Sequence, residues 1–213
     1  MFGRKQKSPF VVVAIGDSLI EGKSATENRG WVQLFAANLQ AEVGQIELHN
    51  LGDGGDNIFA AKKMFESKWR GQKADLCILG IGVNDSRYRP SMESSEVPIR
   101  GFRRELASLI RKLKRCSRGS VIVSGQVPVI DRLTDPYKED KHYRRSLQIN
   151  YERALWEIAQ AEEVHFLDHF VRWSAFGDQF IEEHLADGLH PNDAGHEDLS
   201  RYALEYFKLR CLG

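Results

Sequence analysis

The 213-residue sequence has no apolar run approaching the roughly 20 residues needed to span a bilayer, so no integral membrane segment is predicted. Its first apolar stretch, Phe10 to Ile15, follows Arg4, Lys5 and Lys7 as in a signal peptide but holds only six residues before Gly16 and Asp17 interrupt it. A signal core needs about 7 to 15 apolar residues and a small-residue cleavage site. The stretch therefore reads as a first strand, and the protein is expected to be cytoplasmic. Cysteine is scarce: Cys77, Cys116 and Cys211 are odd in number and widely spaced, which gives neither a disulfide framework nor a zinc-ligand pattern. Net charge is absent as well, since thirty basic residues cancel thirty acidic ones. Without a sustained basic stripe, nucleic acid is not an expected partner. There is no internal repeat and no Gly/Ser linker, so residues 1–213 are expected to form one domain, with 1–8 as a flexible N-terminus.

What is present is the balance of a soluble globular chain, 42% hydrophobic and 28% charged, long enough to bury a full core. Short apolar runs at Phe10 to Ile15, Ile46 to Leu48, Leu76 to Ile81, Val121 to Val123 and Val164 to Leu167 read as five strands. Longer helical patterns alternate with them. Phe102, Leu106, Leu109, Ile110 and Leu113 share one helix face, as do Leu147, Tyr151, Ala154, Leu155 and Ile158. Trp31, Leu34, Phe35 and Leu39 form an earlier stripe, and Leu199, Ala203 and Tyr206 mark a terminal helix capped near Asn192 or Asp193. Strands alternating with helices predict right-handed crossovers and a parallel sheet covered on both faces, a three-layer α/β/α sandwich. Residues 86–98 and 127–142 lack periodicity and should overhang the strands' carboxyl ends, where open α/β sheets carry their chemistry.

Gly16-Asp17-Ser18-Leu19 sets a hydroxyl at the end of the first strand, although Gly-Asp-Ser is also ordinary turn composition. A serine is a poor nucleophile at neutral pH; it needs a base, an acid that orients the base, and donors for a developing oxyanion. Asp187-Gly188-Leu189-His190-Pro191 offers acid and base three residues apart, close enough to face the same way on one turn. A turn-capping Asp187 beside a packed His190 is the plainer alternative. The stretch Asn50-Leu51-Gly52-Asp53-Gly54-Gly55-Asp56-Asn57 follows the second strand. Its glycines let backbone amides approach a ligand, or it is a plain connection capped by Asp56 or Asn57. Gly82-Val83-Asn84-Asp85 follows the third strand and offers a side-chain amide.

Taken in order, Gly-Asp-Ser-Leu at 16–19, Gly55 five residues after Asn50, Gly-x-Asn-Asp at 82–85 and Asp-x-x-His-Pro at 187–191 resemble the four blocks of the SGNH (GDSL) hydrolase family. The second block is most similar to that of the branch containing platelet-activating-factor acetylhydrolase-like esterases. The resemblance implies a flavodoxin-like, five-stranded parallel sheet ordered 2-1-3-4-5 and no obligatory metal or organic cofactor. It also implies a serine esterase acting on a small-molecule ester through an acyl-enzyme: a short acyl ester, a lysophospholipid or an acetylated carbohydrate. By that resemblance Ser18, Asp187 and His190 form the triad, and Ser18, Gly55 and Asn84 the oxyanion hole.

Arg87, Tyr88 and Arg89 stand where an anionic part of a substrate would pass, and Tyr137, Tyr143, Phe176, Phe180, Val129 and Ile130 are candidates for an acyl-pocket wall. The remaining histidines have neither a matching block nor a metal spacing. Two rival classes are carried forward. Asp17, Asp53, Asp56, Asp85, Asp187 and His190 can be read as a metal site for phosphoester hydrolysis, and the same fold can serve as a catalytically silent binding module.

Overall fold

A computed structural model describes residues 8–27 and 29–212. Residues 1–7 of the expected flexible N-terminus lie outside the described residues. Five parallel strands build the main sheet: β1 (Phe10–Gly16), β2 (Ile46–Gly52), β3 (Ala74–Gly80), β6 (Ser117–Ser124) and β7 (His165–Leu167). Between β3 and β6 a two-stranded antiparallel hairpin, β4 (Tyr88–Arg89) and β5 (Ser94–Ser95), rises from the stretch expected to be aperiodic. The sheet order is β2-β1-β3-β6-β7, which is the expected 2-1-3-4-5 once the hairpin is set aside.

Alternate residues of a strand face opposite sides, and here both sides are covered. Val13 and Ile15 of β1, with Cys77 and Leu79 of β3, pack beneath Phe102, Leu106, Tyr151 and Leu155. Val12, Ala14, Leu76 and Ile78 pack on the opposite side against Trp31, Phe35, Leu39 and Phe207. This two-sided burial is why the central strands are continuous apolar runs. It also explains where the expected boundaries slip. β6 begins at Ser117, but its first residues are half-buried or exposed and polar, so the apolar run beginning at Val121 marks only its buried part.

Caps set the helix starts. Asn57 accepts from the Phe59 and Ala60 amides to open the Ile58–Lys68 helix, and Asn192 accepts from Gly195 to open Asp193–Arg210. Two short helices that the periodicity did not mark, His169–Phe176 and Asp178–His184, lead from β7 toward His190. Among the described residues no helix is long and apolar enough to cross a membrane.

The strand register aligns the ends that matter. Gly16 pairs with Gly52 on one side and Gly80 on the other, and Gly80 pairs with Ser124. Three adjacent strands thus end in glycine at one level. A Cβ at Gly52 would lie 2.3 Å from the Glu21 amide nitrogen, and one at Gly80 would lie 2.7 Å from the Ile20 side chain. The missing side chains let the one-turn helix Ser18–Glu21 rest directly on the sheet.

Candidate active site

Ser18 opens that one-turn helix. Asp17 caps it, its Oδ1 accepting from the Leu19 amide at 2.9 Å, and Gly22 closes it in the left-handed region that glycine favours. Ser18 is 6% exposed, so its hydroxyl sits at the floor of a cleft and not on a rim.

From the far end of the chain, the 187–190 turn brings the imidazole to it. Asp187 Oδ1 accepts from the Leu189 amide at 3.0 Å and the His190 amide at 2.8 Å, which fixes the carboxylate plane. Its Oδ2 meets His190 Nδ1 at 2.8 Å, and His190 Nε2 meets Ser18 Oγ at 3.1 Å. A carboxylate on Nδ1 selects the tautomer with the proton there, leaving Nε2 as the acceptor for the serine proton. Burial pushes the Asp187 carboxyl up, but the bonds from His190 and the two amides outweigh it and hold the group well below the usual carboxylate range. The acid is ionised at every ordinary working pH.

Gly55 and Asn84 border the same cleft as Ser18 and His190. Gly55 has φ +92°, a left-handed value, while a Cβ there would meet nothing within 4 Å; the backbone angle, not space, requires glycine. Among the described residues neither the Ser18 nor the Gly55 amide has a hydrogen-bond partner. Asn84 is 2% exposed and donates from Nδ2 to the Asp56 carbonyl at 2.9 Å, which leaves its second amide hydrogen free. Its Oδ1 accepts from Tyr143 Oη at 2.9 Å and more distantly from Arg87 Nη1 at 3.4 Å. These contacts fix which way round the amide lies.

Two spaces flank Ser18, and they differ greatly in size. An enclosed pocket of about 20 Å³ is lined by Ile81, Val83, Gln126, Val127 and Leu189 among others. An open cleft of about 350 Å³ is lined on its outer side by Glu21, Lys23, Asp53, Lys138 and Lys141. About 10–15 Å³ of such space holds one water, so the enclosed pocket accommodates a group the size of a methyl.

Three carboxyls around the site titrate above the usual carboxylate range. Burial pushes the Asp17 carboxyl up to about 7, partly countered by the Leu19 amide. Burial, with the Asp17 charge nearby, likewise takes Asp85 to about 7, and burial beside Asp53 takes Asp56 to about 6. Asp85 Oδ1 accepts from the Ile58 amide at 3.0 Å, while Oδ2 is buried without a partner. Among the described residues no group of three or more His, Cys, Asp or Glu side chains is arranged to hold a metal ion.

The basic run after Asn84 separates. Arg87 is buried on the cleft wall, bonded to Tyr143 Oη at 3.1 Å and paired with Glu96 at 3.1 Å. Arg89 turns away to Glu96 and Asp140, and Tyr88 lies beneath the Arg144 guanidinium; neither lines the cleft. The expected acyl wall is also dispersed. Phe176 is more than half exposed, Phe180 stacks on His184, and Ile130 joins the core around Trp173 and Ile181. Val129 packs with Tyr143 and Leu189. Gln126 and Val127, which do line the small pocket, belong to no motif and carry no periodicity that would have marked them. Tyr137 and Tyr143 reach the cleft, but through their hydroxyls: Tyr137 Oη donates to Asp187 Oδ2 at 2.9 Å.

The model of the GDSL-like lipase/acylhydrolase family matches residues 14–197. An acetylxylan esterase of Geobacillus stearothermophilus is 27% identical over 207 residues, covering 88% of this chain and 89% of that protein. The fold is shared with the lipase/acylhydrolase from Enterococcus faecalis at a TM-score of 0.77 and 20% identity, covering 94% and 96% of the two chains. It is also shared with Axe2, an acetylxylan esterase from Geobacillus stearothermophilus, at a TM-score of 0.70 and 24% identity, covering 93% and 94%. Axe2 variants with alanine in place of a serine, an aspartate or a histidine are described as catalytic mutants.

Proposed function

The chain belongs to the GDSL-like lipase/acylhydrolase family and is a serine-type hydrolase of ester bonds, and from that premise we propose that Ser18, His190 and Asp187 are its catalytic triad and that it removes acetyl groups from a polar alcohol such as a carbohydrate. The hydrogen-bonded series from Ser18 Oγ through His190 to Asp187 carries this reading.

Ser18 Oγ attacks the ester carbonyl as His190 Nε2 takes its proton, and Asp187 stabilises the imidazolium that forms. The carbonyl oxygen becomes an oxyanion facing the Ser18 and Gly55 amides and the free hydrogen of Asn84 Nδ2. On collapse, His190 protonates the departing alcohol. Water then enters, gives its proton to the same nitrogen and attacks the acyl-enzyme, which releases a carboxylic acid and restores Ser18.

Size supports acetyl over longer acyl groups. With the acyl chain in the enclosed pocket of about 20 Å³, the alcohol lies in the open cleft of about 350 Å³, whose charged rim suits hydroxyl-rich material. The acetylxylan esterase similarity supports the same substrate class. The unpaired Cys77, Cys116 and Cys211 suit a reducing compartment, the setting proposed for the protein.

Hydrolysis of p-nitrophenyl acetate, butyrate and octanoate by wild type and Ser18→Ala, with and without EDTA, tests the reading. Acetate should exceed butyrate by about 10- to 100-fold in kcat/KM. Activity should vanish in Ser18→Ala and be indifferent to EDTA. Chelator-sensitive activity that survives the substitution would establish the metal-dependent alternative instead.

A further inference from the structure

Asp187, on the turn before the terminal helix, and Asn84, in the one-turn helix Val83–Ser86, are far apart in the chain, yet each is held by a tyrosine from one segment. Tyr137 Oη donates to Asp187 Oδ2 at 2.9 Å, the oxygen that also receives His190 Nδ1. Tyr143 Oη donates to Asn84 Oδ1 at 2.9 Å and is met by Arg87 Nη1 at 3.1 Å. The two rings pack edge to face with centroids 5.6 Å apart. The backbone between them is anchored at several points. Tyr137 N donates to the Lys141 carbonyl, His142 exchanges two hydrogen bonds with Tyr88, and Tyr143 N donates to the Thr134 carbonyl.

We propose that residues 137–143 form a brace in which Tyr137 and Tyr143 are positioning residues, one for the triad acid and one for the oxyanion donor. The inference rests on the roles proposed above for Asp187 and Asn84. Tyr143 Oη gives Asn84 Oδ1 the shorter of its two donors, and together with the longer bond from Arg87 and the Asp56 carbonyl on Nδ2 it holds the amide with a free N–H toward the cleft; without the hydroxyl that hold is weakened and the donor is less precisely aimed. Tyr137 stays protonated under all working conditions, because burial and the adjacent Asp187 carboxylate push its phenol up to about 12. Its hydrogen bond spreads the Asp187 charge and limits the rotation of the carboxylate that steers His190. Ring packing couples the two, so a displacement of the segment disturbs acid and oxyanion donor together.

Tyr137→Phe and Tyr143→Phe remove the hydroxyls and keep the rings. On p-nitrophenyl acetate, Tyr143→Phe should lower kcat about 10-fold at constant KM. It should have no further effect in an Asn84→Ala background, whereas a merely structural loss would multiply through both backgrounds. Tyr137→Phe should lower kcat and move the acid limb of the kcat/KM profile to higher pH, because Asp187, relieved of one donor, holds the His190 proton more tightly. Labelling with a fluorophosphonate, whose phosphorus an activated serine attacks with loss of fluoride, separates this proposal from the one beneath it. If Ser18 is not labelled in wild type, the triad reading fails. If Ser18 is labelled while both tyrosine variants keep the wild-type kcat and pH profile, or Tyr143→Phe multiplies through the Asn84→Ala background, the brace fails alone.

Discussion

Ser18 Oγ and His190 Nε2 are 3.1 Å apart although 172 residues separate them in the chain. The contact joins a turn on β1 to one that precedes the terminal helix, so it exists only when the whole sheet is assembled. His190→Ala should therefore leave the fold intact, because the ring borders open space on one side, while kcat falls by at least about 10⁴. Asp187→Asn should lose a comparable factor, since an amide in its place favours the wrong imidazole tautomer. Circular dichroism and steady-state kinetics on the same preparations check both.

Asn84→Ala removes one of the three proposed oxyanion donors and should cost about 10² to 10³ in kcat, roughly 3 to 4 kcal/mol, with little change in KM. A variant with wild-type turnover would take Asn84 out of the site.

The small pocket, proposed above to receive the acyl group, can be enlarged. Val127→Ala removes two methyl groups from its wall. The butyrate-to-acetate ratio of kcat/KM should rise by about 10-fold or more, and the absolute rate on acetate should fall only slightly. Chain-length profiles of wild type and variant provide the measurement.

Asp85 gives stability a pH dependence. In the folded protein it keeps its proton up to about 7, whereas an unfolded aspartate releases it near its ordinary value of 3.8. Folding takes up a proton between those limits, so this group makes stability fall as pH rises from about 4 to 7, and its contribution is level above that. Asp85→Asn keeps an acceptor for the Ile58 amide and cannot ionise. Denaturant titrations should show the two proteins alike near pH 4 and the variant ahead by up to about 4 kcal/mol at pH 8.

Gly52→Ala should be damaging, because its Cβ would lie 2.3 Å from the Glu21 backbone nitrogen and must shift the helix that carries Ser18. A displacement of about 1 Å is worth roughly 10² in rate. Gly101→Ala, whose Cβ would meet Val97 at an ordinary 3.9 Å inside the Ile99–Cys116 helix, should instead be neutral or stabilising by up to about 1 kcal/mol. Melting temperatures and kcat of the pair distinguish local crowding from a general intolerance of substitution.

The residues legible in the sequence are those whose chemistry is tied to a strand end. Ser18, Gly55 and Asn84 each follow a strand within a few residues and His190 stands just before the terminal helix, so the fold that the alternation predicts also brings them together. The sheet order was legible for the same reason, through the family whose blocks they resemble. Tyr137 and Tyr143 were visible only as aromatics in an aperiodic stretch, because their hydroxyls find Asp187 and Asn84 through a backbone path set by contacts with Tyr88 and Thr134. Arg87 and Arg89 show the complementary difficulty. Their charge was plain, but whether it faces a substrate depends on Glu96 and Asp140, and the bonding partner Asp140 is 51 residues away from Arg89. The small pocket was illegible because Ile81 and Val83 come from the segment after β3 and Gln126 and Val127 from the segment after β6, and its volume is set by the distance between the two.

The level of glycines at the ends of β2, β1 and β3 separates two kinds of change that sequences undergo. Because the Ser18 turn meets the sheet over glycine main chain, exchanges among core residues remote from Ile20, such as those beneath the Ile99–Cys116 helix, can alter packing and melting temperature without passing a displacement on to Ser18. Loop residues that line the two spaces beside Ser18, such as Val127 and Lys138, can likewise be altered without touching the support of the turn. A library restricted to those loops would explore new esters on a catalytic geometry held constant, and one that included Gly16, Gly52 or Gly80 would lose most of its members at those three positions.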